Sequence, residues 1–226
     1  MPKGFDLSTS IAFQGVTWLY KAPFVIVTMG IKTTKNENNT MKRILSILCA
    51  SLISISSYAV EVAGVQLPEK LTAQSESLAL NGAGVRSKFF MDIYAAGLYL
   101  TQASDKPQQI IADDKSMALR LHITSGLLSG EKMESATREG FEKSTGGNTA
   151  PIQSVIDNFI DTFKSGIEVN DVFDFVYSPE VGVDVYKNGE LKTSIKGLEF
   201  KQALFGIWLS EDAVQDDLKS DLLGSL

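Results

Sequence analysis

Arg86 sits in the setting that most strongly suggests chemistry in this chain. Within the stretch GAGVRSKFFMDIYAAGLYL, Gly82–Leu100, it follows two glycines and enters the most apolar segment, a costly place for a permanent charge. Facing inward, its guanidinium needs an anion, and the forked donors match a carboxylate in bidentate fashion. Tyr94 lies eight residues on. Even spacing in an extended chain puts the two side chains on one sheet face unless a bulge intervenes. Tyr94 and Tyr99 can each present a hydroxyl in an otherwise apolar pocket. The alternative is an Arg86 paired internally with an Asp or Glu of this acidic chain.

Other chemistry-bearing residues offer less. His122 is the single histidine and shares the alternating face of its segment with Arg120, the position of a structural or solvated histidine. Ser125-Gly126 and Ser129-Gly130 lack the G-x-S-x-G elbow of a serine nucleophile. Asn81-Gly82-Ala83-Gly84 lacks the Gly-Lys-Ser/Thr ending of a phosphate loop. Asp113-Asp114 and Asp216-Asp217 are adjacent pairs expected to face solvent, since a metal site needs convergent oxygens from several positions. With one Cys and one His, a cysteine zinc site, an iron–sulfur site and a histidine triad are all poorly served. No metal and no cofactor is expected.

These residues must be carried by a folded domain, and the composition supports one. The chain has 226 residues, 44% hydrophobic and 21% charged, with a formal net charge of −6. It is too apolar for a disordered acidic tail. It also lacks the basic stripe that binding to nucleic acid requires. Residues 41–59, MKRILSILCASLISISSYA, have the cationic start, the apolar core of about 12 residues and the small-residue ending of a secretory signal. That core is shorter than the span of about 20 residues that a membrane helix needs, so no stable membrane span is expected after cleavage. Cleavage after Ala59 would leave residues 60–226 in the periplasm or outside the cell. Residues 1–40 are read as an upstream extension, a start-site artefact or a disordered segment, with Met1, Met29 and Met41 as alternative starts. The first 59 residues hold six of the 21 Lys/Arg and two of the 27 Asp/Glu. The remainder therefore carries 15 against 25, a net charge of −10 and no cysteine.

Within 60–226, hydrophobic patterning predicts one domain. After a short extended start (60–66), Leu78-Ala79-Leu80 leads into Asn81–Gly84, whose glycines predict a tight hairpin. Residues 85–100 read as one long, bent strand with Gly97 as a candidate bulge. Pro107 opens a short helix, and residues 117–123 alternate as a half-buried strand. Helical spacing over 129–144 gathers Met133, Ala136, Thr137, Gly140 and Phe141 on one face. Pro151 opens another helix with a stripe through Ile152, Val155, Ile156, Phe159, Ile160 and Phe163. Strands at 172–177, 181–187 and 191–195 follow, the last two joined by the type I′ signal Asn188-Gly189. Helices at 200–209 and 214–223 close the chain. Hairpin links and blocks of like elements favour α+β with an antiparallel sheet.

The string Gly82–Leu100 resembles the chalcone isomerase superfamily, whose members carry a G-x-G-x-R hairpin followed by a strand ending in a G-[VL]-Y-L type sequence. Leu128–Phe141 (LSGEKMESATREGF), Ile195–Ser210 (IKGLEFKQALFGIWLS) and Leu218–Gly224 (LKSDLLG) extend the likeness, which is greatest to exported bacterial chalcone-isomerase-like proteins. The resemblance implies an open-faced β-sandwich, an antiparallel sheet packed against a helical layer with a ligand cleft between them.

The plant enzymes of that superfamily use an Arg from this hairpin, a Thr on the next strand, a Tyr and an Asn on the first helix, and a Ser/Thr near the C-terminal helix. Arg86 keeps the first. Tyr94 stands at the strand position, Met133 and Gly140 at the helix positions, and Ile207 at the last. Met, Gly and Ile side chains cannot hold the water or substrate oxygens of that reaction, so efficient chalcone cyclisation is not expected. In fatty-acid-binding members an Arg and a Tyr at the same two positions hold the carboxylate, and Arg86 and Tyr94 match them. Phe89, Met133, Phe141 and Phe159 are the side chains expected to line the pocket. The resemblance thus implies a non-catalytic, exported binder of a small apolar carboxylic acid. The alternatives are an isomerase or intramolecular lyase on another substrate, and a structural or interaction domain with a filled cleft.

Overall fold

The computed structural model describes residues 59–224. The upstream extension and all but the last residue of the signal segment lie outside the described residues. Strands β1 (Ala59–Val62) and β2 (Val65–Pro68) form a separate hairpin. A seven-stranded antiparallel sheet follows strictly in chain order: β3 (Lys70–Ala73), β4 (Glu76–Lys88), β5 (Met91–Leu100), β6 (Met117–Ile123), β7 (Val172–Ser178), β8 (Gly182–Lys187) and β9 (Glu190–Ile195). Helix α1 (Pro107–Ala112) links β5 to β6. Helices α2 (Gly130–Ser144) and α3 (Gln153–Asp161) lie between β6 and β7, and α4 (Leu198–Leu209) and α5 (Asp216–Leu222) follow β9.

Alternation decides which side of the sheet is covered. Leu98, Leu119, Leu121, Phe173, Phe175, Val183 and Val185 project to one face and share a single core with α2 to α5. The opposite face is closed by the sheet's own first strands, where Leu78 and Ala73 bury Tyr99 and Ala118. The small β1–β2 hairpin covers Ala95 there with Val65 and Leu67. This curled antiparallel sheet with a helical layer is the expected α+β open-faced sandwich of chalcone isomerase type.

Helix α2 begins where Ser129 accepts a hydrogen bond from the Lys132 N–H at 3.3 Å. It ends at Gly146 and Gly147, both with positive φ. Of the face read from its spacing, Met133, Thr137, Gly140 and Phe141 are buried while Ala136 is exposed. Helix α4 is apolar nearly all round because it lies enclosed by other elements rather than on the surface. Gly140 lets it approach α2 closely, since a Cβ there would sit 2.8 Å from Ile207 Cγ2.

Four expectations are corrected. Asn81–Gly84 makes no hairpin; β4 runs straight through it, and neither Gly82 nor Gly84 has a positive φ. These glycines serve close approach instead. A Cβ on Gly82 would lie 2.1 Å from the Asp221 carbonyl oxygen, so α5 rests directly on the strand there. The turn falls later, at Phe89 and Phe90, and divides the stretch read as one strand into the end of β4 and all of β5. Gly97 is not a bulge; it pairs regularly with Ala83, and the two register shifts leave Asn81 and Ile93 as the extra residues. The extended start, finally, is itself a hairpin, β1 with β2.

Candidate functional site

Two neighbouring strands and two helices assemble the site. Arg86 on β4 and Tyr94 on β5 are direct cross-strand partners, so they share a face through pairing rather than through spacing along one strand. The bulge at Ile93 turns two consecutive residues, Ile93 and Tyr94, toward the same cavity. That cavity, about 420 Å³, lies between the sheet and α2 and α4, with Met133 and Thr137 from α2 and Ile207 and Trp208 from α4 on its walls. Its size falls within the usual range for small-molecule pockets, about 300–1,000 Å³.

The polar end is held from outside the cavity. Gln215, the residue preceding α5, accepts from Arg86 Nη1 at 2.9 Å and from the Ser87 N–H at 3.0 Å. Its own amide donates to the Val85 carbonyl at 3.2 Å. Arg86 Nη1 also donates to the Ser87 carbonyl at 2.7 Å. Arg86 makes no ion pair among the described residues. The internal carboxylate partner that its position allowed is thus a glutamine, which orients the guanidinium without neutralising it.

Tyr94 is buried, and its hydroxyl accepts from Trp208 Nε1 at 3.0 Å. Burial pushes its phenol up to about 12, against the opposing pull of the Trp208 hydrogen bond and the Arg86 charge. The phenol therefore keeps its proton through the physiological range and has it free to donate. Trp208 is itself braced by Phe175, with ring centroids 6.0 Å apart. Beside this pair, Thr137 lies on the cavity wall with no side-chain hydrogen bond among the described residues. Glu139 is the one carboxylate on the wall among the described residues; Lys143, at 2.9 Å, holds it below the usual carboxylate range, and Lys88 and Arg86 add to the effect.

Of the residues singled out from sequence, Arg86, Tyr94, Phe89 and Met133 line the cavity. Phe141 and Phe159 do not. They lie in the aromatic core behind it, 6.0 Å apart edge to face, with Phe159 also 5.3 Å from Phe175. Tyr99 faces the other side of the sheet, where its buried hydroxyl has no partner among the described residues. His122 and Arg120 are on that outer side as well, and Arg120 forks onto Asp174 at 2.7 and 2.8 Å. Asp114 accepts from the Tyr177 hydroxyl at 2.5 Å, and Asp113 pairs with Lys115. Trp208 and Gln215 were not anticipated. Trp208 sits in an apolar run whose periodicity points nowhere, and Gln215 is joined to Arg86 only through the packing of α5 on β4.

The chain belongs to the chalcone isomerase-like family, whose model matches residues 59–224. Among curated proteins no relative matches. Among solved structures, a fatty-acid binding protein of Arabidopsis thaliana is similar at 19% identity with a TM-score of 0.55. The match covers 72% of this chain and 93% of that one. At that identity the likeness is one of fold. The superfamily positions read as Met133, Gly140 and Ile207 come together at one wall, Met133 and Ile207 on the cavity and Gly140 packed against Ile207.

Proposed function

We propose that this protein is exported and binds a small apolar carboxylic acid, such as a fatty acid, with its head on Arg86 and Tyr94 and its chain in the cavity. The observation that carries the reading is a guanidinium without a carboxylate partner among the described residues, directly across from a phenol with a free proton, at the polar end of an apolar cavity. Such a pair complements one ionised carboxylate: the guanidinium neutralises it and the phenol donates a second hydrogen bond. Export rests on the signal pattern of residues 41–59. The fatty-acid binding of the Arabidopsis neighbour agrees with this reading. The isomerase or lyase alternative would need a proton acceptor, and the wall carboxylate, Glu139, is engaged by Lys143.

Native mass spectrometry of the protein recovered from a bacterial host expressing the full chain tests both halves. The protein mass is expected to match cleavage after Ala59, with an acid retained. Arg86→Ala should lose about 2 kcal/mol of affinity, roughly thirtyfold, and Arg86→Lys less. Equal retention by wild type and Arg86→Ala would sink the binding reading. Turnover of a chalcone above the spontaneous rate would restore the enzyme reading.

A further inference from the structure

The turn joining β4 to β5 places two phenylalanines where folding gains nothing from them. Phe89 and Phe90 both have positive φ, 51° and 63°, a region that disfavours bulky side chains. The turn joining β8 to β9 meets the same requirement with Asn188 and Gly189, at φ 53° and 79°, the residues that tolerate it best. Phe89 is nonetheless 78% exposed and Phe90 fully so. Met91 and Leu127, each nearly half exposed, extend the patch. The loop carrying Leu127 is tied to the hairpin base, where Thr124 donates from its N–H to the Ile93 carbonyl and from its hydroxyl to the Asp92 carbonyl, both at 3.1 Å. Phe89, Met91 and Leu127 line the cavity described above, so the patch is its rim.

Lys88 and Lys132 line the same rim, and neither forms an ion pair among the described residues. Lys132 donates to the Leu127 carbonyl at 2.8 Å, and Lys88 lies 5.6 Å from the Phe89 ring centroid. Of the carboxylates around the tip, Asp92 accepts from the Ser87 hydroxyl and Glu139 pairs with Lys143. A chain whose residues 60–226 carry a net charge of −10 thus gathers unpaired cations around its most exposed aromatic tip.

We propose that this tip docks on an anionic lipid surface. Phe89 and Phe90 enter the head-group layer, where aromatic rings partition well. Lys88 and Lys132 meet the lipid phosphates. The tip is convex, which suits a deformable layer better than a rigid pocket. A two-fold contact with a second copy would set Lys88 and Lys132 against their own counterparts. Docking turns the cavity mouth toward the bilayer, so that an apolar acid can enter without crossing water. That last step rests on the binding reading above, whereas docking itself stands on the tip.

Sedimentation of residues 60–226, which contain the whole sheet and core, with phosphatidylcholine vesicles, with and without phosphatidylglycerol, is the test. Wild type should bind the anionic vesicles more tightly, and added salt should weaken that binding. Phe89→Asn/Phe90→Gly copies the β8–β9 turn, so it should fold as well as wild type by circular dichroism and yet lose at least about tenfold in partitioning. Phe90→Gly alone should lose part of that. Lys88→Gln/Lys132→Gln should lose about fivefold per lysine. No vesicle binding by wild type, or equal binding by the Phe89→Asn/Phe90→Gly variant, overturns docking. So does a change of oligomeric state in that variant without a change in vesicle binding, which would make the tip a self-association surface. A wild-type acid titration in lipid-free solution separates the two readings. Its failure removes the ligand, and failure of sedimentation alone removes the membrane.

Discussion

At the scale of single residues, the decisive property of Tyr94 is that its hydroxyl oxygen is already occupied as an acceptor while its proton is not. With Trp208 Nε1 donating to it at 3.0 Å, the phenol can rotate only toward positions where its hydrogen points elsewhere, and the cavity is the open direction. Tyr94→Phe should therefore weaken acid binding by about 1 kcal/mol, close to fivefold. It should also destabilise the fold by about 1–2 kcal/mol, because the indole N–H loses its buried acceptor. Trp208 is the sole tryptophan in residues 60–226, so its fluorescence reports both quantities. Affinity should be flat from about pH 6 to about pH 10, where the acid is ionised and the phenol neutral, and should fall below about pH 4 as the carboxylate takes up a proton. Burial, which lifts Tyr94 to about 12, is what extends the alkaline end. A drop in affinity beginning below about pH 9 would show a phenol without that shift.

At the scale of elements, the site depends on α5 lying flat on β4. Asn81 fastens that contact from the strand side, its amide donating to the Leu222 carbonyl at 2.9 Å and the Ser104 carbonyl at 3.0 Å. Gly82 and Gly84 leave the room, and Gln215 at the head of α5 consequently reaches Arg86. Gly82→Ala should push α5 away, costing about 2 kcal/mol of stability by overpacking and weakening acid binding as Arg86 loses its brace. Gly126→Ala is the control, because its Cβ would meet Val169 at an ordinary 3.7 Å; it should change stability by less than about 0.5 kcal/mol. Urea melts and Trp208 titrations read the two effects, and a Gly82→Ala variant of unchanged affinity would detach Gln215 from the site.

At the scale of the whole molecule, Lys201 ties the helical layer to the segment between β5 and β6. It is fully buried in α4, and its ammonium donates to the carbonyls of Ile110, Ile111 and Asp113 at 2.7, 2.8 and 2.7 Å, closing the end of α1. Burial pushes its pKa down to about 8, opposed by Asp113 and Asp114. The folded state therefore holds fewer protons than the unfolded chain between about pH 8 and about pH 10.5, so this group's contribution to stability rises with pH across that window. Lys201→Met should destabilise at neutral pH by about 2–4 kcal/mol, through carbonyls left unpaired. The gap to wild type should widen toward about pH 10. Denaturation at several pH values checks this, and a gap that narrows with rising pH would contradict the sign. Among the described residues no helix is long and apolar enough to cross a membrane.

Sequence alone determined what depends on local pattern. Alternation in β6 and β7, the stripes of α2 and α3, the Asn188-Gly189 turn and the cost of burying Arg86 all follow from the order of side chains along the chain, because period and charge are local properties. The family motif around Arg86 and Tyr94 was legible for the same reason. Tertiary structure decided the rest. Glycines that suggest a turn became the seat of a helix, because a distant segment came to lie on them, and close approach leaves no mark in local pattern. The turn itself fell on two phenylalanines that local propensity would not select. Phe141 and Phe159 have the hydrophobicity of pocket walls, yet the packing of α2, α3 and α4 placed them behind the wall. Gln215, rather than a carboxylate, met Arg86, and Trp208 met Tyr94, because only the folded chain brings residues more than a hundred positions apart within hydrogen-bond distance.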